Sequence, residues 1–222
     1  MVKEKKGKKT RRKPAREPLS RERIMQAALD LVERDGLAAF STRKLGQELG
    51  CEAMSIYHHF PSKAHLLDAL VDHVIAGVAL PARDLDPIER MRQAGYAFRA
   101  MAHRYPKMFQ MVGLHRLNSA TGLTLLNEVL QIFRDAGFDA KTAAHLFRAF
   151  SYYVVGAALD ETAGYAKGPS SLAPVSAQET EARFPRVAEV GPYFKREYFD
   201  ATFAAGLEIL LEGFQRARGR KQ

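Results

Sequence analysis

Residues 41–63, STRKLGQELGCEAMSIYHHFPSK, place two very short helices around a single glycine, and this constrains the fold more than any other feature of the chain. Helices below about 12–15 residues are marginal on their own, so neighbouring elements must hold both. Ser41 is the N-cap of the first, with Leu45 and Leu49 facing inward. Gly50 supplies the positive-φ turn, and the second helix runs from about Glu52 to His58 before Pro61-Ser62 restarts the chain. Upstream, Ser20 caps a helix with Ile24, Ala27, Ala28, Leu31 and Val32 on one face, ending at Gly36. Downstream, Leu66, Leu67, Leu70, Val71, Val74 and Ile75 mark a longer helix that fades at Leu80-Pro81.

The rest of the chain also has helical periodicity. Asp86-Pro87 is a cap followed by proline at the first helical position, and Ile88, Met91, Gly95, Phe98 and Ala102 continue it as a stripe to Tyr105-Pro106. A short segment reaches about Gly113. Residues 121–136 carry Leu123, Leu126, Leu130 and Phe133, ending at Gly137. Asp139 caps a helix with Ala143, Leu146, Phe147, Phe150, Val154 and Ala157. Residues 164–192, rich in glycine and proline, are expected to be a long mobile connection. A last helix, from about Pro192 to Arg216, carries Phe199, Phe203, Leu207, Leu210, Leu211 and Phe214. No strand pattern competes, so the predicted class is all-α. The expected division is a disordered basic arm (1–18), a three-helix helix-turn-helix domain (19–65) and a helical ligand-binding and dimerisation domain (66–222).

Charge is concentrated at one end. Of a formal +9, residues 1–18 hold +7, nine Lys and Arg against Glu4 and Glu17, which leaves +2 for the other 204 residues. Such an arm suits a polyanion through phosphate neutralisation. Taken alone, it equally suits an anionic membrane, RNA or a solvated tail. No apolar run is long enough to span a bilayer or to act as a secretory signal. The single cysteine, Cys51, disfavours a disulfide or a cysteine-based zinc site. A cytoplasmic protein without metal or cofactor is expected.

The outward residues of the second short helix are Ala53, Met54, Ser55, Tyr57, His58 and His59. A solvated face normally carries Lys and Glu. Small groups, hydroxyls and imidazoles suit close approach to base edges and phosphates in a major groove. Thr42 and Arg43 open the preceding helix, where backbone N–H groups point at an anion. Lys63 opens the following one. His58-His59 do not make a metal pair, because adjacent helical residues point about 100° apart.

Residues 20–75 resemble the tetracycline-repressor (TetR) family. The resemblance rests on the first-helix pattern, Gly36, Thr42-Arg43-Lys44-Leu45, the Gly50 turn, Ile56-Tyr57-His58-His59-Phe60, Lys63 and Leu66-Leu67-Asp68-Ala69-Leu70. It implies that Thr42 and Arg43 support phosphate and base contact, that Ala53, Met54 and Ser55 read bases, and that Tyr57, His59 and Lys63 contact phosphate. His58 stands where the family carries an aromatic or polar residue. Residues 150–156 and 203–208 are similar to that family's regulatory domain, whose counterparts line an effector cavity and build a four-helix dimer interface. Relatives that bind tetracycline–magnesium carry a histidine after the fifth helix. Gln110 stands there in this chain, with Gly113 in place of a threonine and Asp160 at a carboxylate ligand's position, which argues against tetracycline as the effector.

The resemblance implies a homodimer that binds a double-stranded, palindromic operator and releases it when a small apolar or aromatic effector binds. The candidate effector lining is Met101, Phe109, Met111, Phe133, Phe147, Phe150, Tyr153 and Tyr165, with Gln110, His115, Asn118 and Asp160 as polar candidates. At helical spacing, the same side chains equally make an ordinary core. Gly206 and Ala205 are expected to allow close approach at the dimer interface. Two other functions compete: a constitutive DNA-binding protein without an effector, and a helical enzyme. No acid, base or nucleophile cluster supports the enzyme.

Overall fold

The computed structural model describes residues 18–113, 118–163 and 172–219, which form helices and connecting turns with no strand among the described residues. The N-terminal part comprises α1 (Arg21–Asp35), a 3-10 turn (Leu37–Ala39), α2 (Thr42–Leu49), α3 (Ala53–Tyr57) and α4 (Lys63–Ala76). Beyond it lie α5 (Pro87–Arg104), α6 (Pro106–Val112), α7 (Ala120–Asp135), α8 (Ala140–Ala163), α9 (Ala177–Arg183), α10 (Pro185–Val190) and α11 (Phe199–Gly219).

Local chemistry sets these boundaries. The hydroxyls of Ser20, Ser41 and Ser62 accept the backbone N–H of Arg23, Lys44 and His65 at 3.2, 3.2 and 3.3 Å, satisfying donors that the first turn leaves free. Asp86 does the same for Ile88 at 2.8 Å, and Pro87 follows at the first helical position. Gly36 and Gly50, at φ 87° and 67°, close α1 and α2.

One continuous apolar core runs from α1 to α11. Helix α4 is shared: it packs against α1 on one side and against α6 and α7 on the other. A second tie joins the same regions. The Glu33 carboxylate on α1 accepts the backbone N–H groups of Met108 (2.8 Å) and Lys107 (3.1 Å) at the start of α6, and Lys107 Nζ donates back to the Arg34 carbonyl. Around α5 the bundle closes with α7, α8 and α11. Phe133 lies at its centre, fully buried and edge-on to Phe147, Phe150 and Phe214 at centroid distances of 6.2, 6.1 and 5.9 Å. Such pairs add about 0.5–1.5 kcal/mol each beyond burial. Arg90 is also buried, and its guanidinium meets Asp135 at 2.6 Å. Hydrogen bonds from Gln131 and then Arg90 hold that carboxyl below its ordinary range.

Two expectations are corrected. The buried stripe of α7 is Leu125, Val129, Ile132 and Phe133, while Leu123 is 52% exposed and Leu126 and Leu130 are half-buried. From residue 177 onward, the expected connection is helical. Ser176 caps α9, accepting from Glu179 N at 3.1 Å, and Pro185 is the first residue of α10. Residues 164–171 lie outside the described residues. No helix among the described residues is long and apolar enough to cross a membrane.

Candidate nucleic-acid interface and effector cleft

The turn between α2 and α3 is set by one close approach. Cys51 N donates to Gly46 O at 2.8 Å, and a Cβ on Gly46 would lie 2.7 Å from the Cys51 carbonyl oxygen. Glycine at 46 is therefore a steric requirement of the turn, since any larger residue would push the two helices apart. The sequence reading missed it, because the contacting atom belongs to the backbone across the turn. Ile56 and Phe60, both buried, anchor α3 and its exit. Arg21 locks the exit from outside, stacking 4.1 Å over the Phe60 ring and donating to the His59 carbonyl at 2.7 Å.

With α3 held this way, its free face is the expected one. Met54 is 63% exposed, Ala53 and Ser55 are partly exposed beside it, and His58 is exposed. Thr42 Oγ1 and Tyr57 Oη lie 3.1 Å apart, so a hydroxyl pair joins the start of α2 to the end of α3. Arg43 is exposed next to it, and His59 is half-buried. Lys63 Nζ donates to the Phe40 carbonyl at 2.8 Å and sits 5.3 Å from the Phe40 ring centroid. One of its three donors is thereby used, and the ammonium is held at the root of α4 beside the α2–α3 surface.

The candidate effector residues are distributed differently. Phe133, Phe147 and Phe150 form the aromatic core just described, and Phe109 is buried. Tyr153 stacks on Phe203 at 5.6 Å and donates its hydroxyl to the Phe203 carbonyl at 2.6 Å. Burial, then the nearby Glu161 charge, raises its phenol above the ordinary value. Met111 is half-buried, and Gln110, Asn118 and Asp160 are exposed. His115 and Tyr165 lie outside the described residues.

Among the described members of this set, Met101 alone borders a cleft with a volume of about 520 Å³. One wall is the end of α4 and the chain beyond it: His73, Val74, Ala76, Gly77, Val78 and Ala79. The other is α5, with Ala97, Ala100, Met101 and Arg104, followed by Tyr105. Apart from Met101, sequence reasoning passed over these residues because small side chains at 97 and 100 on the outer face of an amphipathic helix look like ordinary surface. The volume is within the usual range for small-molecule sites, about 300–1,000 Å³. Helix α4 therefore runs from the candidate DNA-contacting Lys63 to the cleft wall, a span of about 20 Å at 1.5 Å per residue.

Helices α8 and α11 pack on each other and leave large apolar side chains outside, among them Tyr152 (69% exposed) and Ile209 (68%). Gly206, half-buried beside them, has a close neighbour within the chain. A Cβ there would lie 2.6 Å from Tyr153 Cζ and closer still to Oη and Cε2, so its close approach is to α8 of the same chain.

Comparison with known proteins gives the following. The model of the tetR family of bacterial regulatory proteins matches residues 24–70, and that of the tetracyclin repressor-like C-terminal domain matches residues 80–218. Tetracycline repressor protein class A from transposon 1721 of Escherichia coli is 30% identical over 210 residues, 88% of this chain and 90% of that protein. The solved structure of a possible TetR family transcriptional regulator from Streptomyces coelicolor A3(2) superimposes with a TM-score of 0.74 at 27% identity, covering 89% of this chain and all of that one. A TetR variant from Acinetobacter baumannii AYE, solved in complex with minocycline, gives 0.67 at 26% identity, covering 90% and 99% of the two chains.

Proposed function

The chain belongs to the TetR family of DNA-binding transcription regulators, and on that premise we propose that it is a cytoplasmic repressor that grips a palindromic operator as a homodimer and releases it when an apolar or aromatic effector enters the cleft between α4 and α5. The observation that carries this reading is the shared helix α4, whose first residue, Lys63, stands beside the α2–α3 surface and whose last turn forms a wall of the cleft. A ligand that widens the cleft shifts α4 at the root of the DNA-binding unit. It does so only to the extent that it prefers the state that does not bind DNA.

Thr42, Arg43, Tyr57, His59 and Lys63 position the unit on phosphates, with His58 at the edge of the same face. Ala53, Met54 and Ser55 face the base edges. The exposed apolar side chains of α8 and α11 form the dimer surface. Residues 172–198, which bury no side chain fully and expose Val187, Tyr193 and Phe194, extend the apolar surface available to a second copy.

Selection of bound duplexes from a random pool by the full chain tests the reading. Enrichment of two inverted half-sites, with centres one helical turn or about 34–36 Å apart, is expected. Sedimentation should show a dimer at micromolar concentration. A monomer, or a pool with no sequence preference, refutes the proposal.

A further inference from the structure

Helix α5 carries four arginines at positions 90, 92, 99 and 104 with contrasting environments. Arg90 pairs with Asp135 at 2.6 Å, Arg92 with Glu208 at 2.6 Å and Arg99 with Glu161 at 2.8 Å. Arg104, which lines the cleft, has no ion-pair partner among the described residues. The guanidinium stands 5.2 Å from the Tyr105 ring centroid, and both residues line the cleft. The other protonatable group of the lining is His73, and the lining holds no carboxylate. Among the described residues, the bundle thus neutralises the other α5 arginines and leaves one without a carboxylate where a ligand would lie.

Wall shape adds a second constraint. Ala76 and Ala79 on one side and Ala97 and Ala100 on the other put only methyl groups toward the space. Short side chains on both elements obstruct a flat ring system less than bulkier ones would. Tyr105 offers an aromatic edge or face, and Met101 offers an adaptable thioether. Arginine binds a carboxylate through two parallel N–H donors, more strongly than it binds a neutral acceptor.

Resting on the reading of this cleft as the effector site, we propose that the effector is a planar aromatic anion, its rings between the alanine walls and its carboxylate or equivalent acidic group on Arg104, with His73 as a second donor.

The test uses two probes of equal shape, anthraquinone-2-carboxylate and the uncharged anthraquinone-2-carboxamide, titrated calorimetrically against the full-length chain near neutral pH. The expected wild-type preference for the carboxylate is about tenfold or more. Arg104→Gln should remove that preference by weakening the carboxylate alone, and Arg104→Lys, which keeps the charge without the fork, should retain part of it. Ala100→Trp should weaken both probes by obstructing the cleft. Equal binding of the two probes to wild type, or a preference that survives Arg104→Gln, overturns the anionic assignment. If Ala100→Trp still weakens both in that case, the cleft remains the effector site and only the ligand class falls. If both probes bind and Ala100→Trp leaves their affinities unchanged, the site and the class fall together. Binding of neither probe to wild type overturns the ligand class.

Discussion

Replacing Gly206 with alanine should destabilise the protein, and the penalty should vanish when Tyr153 is also removed. In a helix interior such as α11, Gly→Ala alone is favourable by about 1 kcal/mol. Here the new methyl would overlap Tyr153, which cannot swing aside without cost. Its hydroxyl donates to the Phe203 carbonyl at 2.6 Å and its ring stacks on Phe203 at 5.6 Å. Overpacking of this kind costs about 1–3 kcal/mol, and displacing the phenol forfeits a hydrogen bond worth about 1 kcal/mol more. The expected net loss is about 1–3 kcal/mol in the wild-type background. In Tyr153→Ala the same substitution meets open space and should be neutral or stabilising by up to about 1 kcal/mol. The cycle is read by urea denaturation at one fixed protein concentration, because the apparent stability of a dimer depends on concentration. A coupling energy of about 2–3 kcal/mol is expected between residues in direct contact. An equal cost for Gly206→Ala in both backgrounds refutes the account. Loss of the dimer in Gly206→Ala without loss of subunit stability would return Gly206 to the intersubunit role expected from sequence.

The two classes of candidate DNA contact should separate experimentally. Tyr57→Phe or Lys63→Gln should weaken binding to all duplexes alike, whereas changes at Met54 or Ser55 should redistribute base preference; an unaltered sequence profile for the latter pair counts against their facing bases. Deleting residues 1–18 should make the plot of log K against log salt shallower by about 0.9 for each phosphate that the arm neutralises, with the preferred sequence unchanged. An identical slope would show that the arm does not touch DNA. Arg92 holds the Glu208 carboxyl below its ordinary range, so this pair stabilises the fold above the unfolded carboxyl pKa, and the contribution is lost as pH falls through the lowered folded value. Arg92→Met should therefore cost up to about 1 kcal/mol near neutral pH, and that cost should shrink as pH falls below the ordinary carboxyl range, as measured by denaturation across that range; a cost independent of pH would assign the effect to packing.

The sequence was most legible where the determinants were local. Ser20, Ser41, Ser62 and Asp86 announce their helices because a short polar side chain before an apolar period serves the free N–H groups of a first turn. The register of α7 was not legible. Leucines at 123, 125, 126 and 130 offer two overlapping stripes, and the packing of α4, α5 and α8 against the helix selects the one through Leu125 and Val129. Prolines misled at 185, where the ring starts α10 instead of breaking a segment, since its missing donor is not needed at the first helical position. The α3 surface could be read from its composition, because histidine, tyrosine, serine and methionine are unusual on an exposed helical face. The cleft could not, because its main feature is the smallness of alanines on two elements whose pairing the sequence does not reveal.

The Glu33 link to α6 makes the mechanics of the N-terminal unit more definite. A body fastened at one point can tilt in any direction; one fastened at two can turn only about the line that joins them. Helix α4 is one fastening and the carboxylate across the Lys107 and Met108 amides is the other. Rotation about that line is the motion these two ties restrain least, and on the function proposed above a displaced cleft wall would drive it. A shift of about 1–2 Å, typical of helix movements in switching proteins, at the end of a lever about 20 Å long is a rotation of roughly 3–6°. In a two-fold dimer the two units rock in opposite senses, so the mismatch with successive major grooves is twice what either unit produces alone.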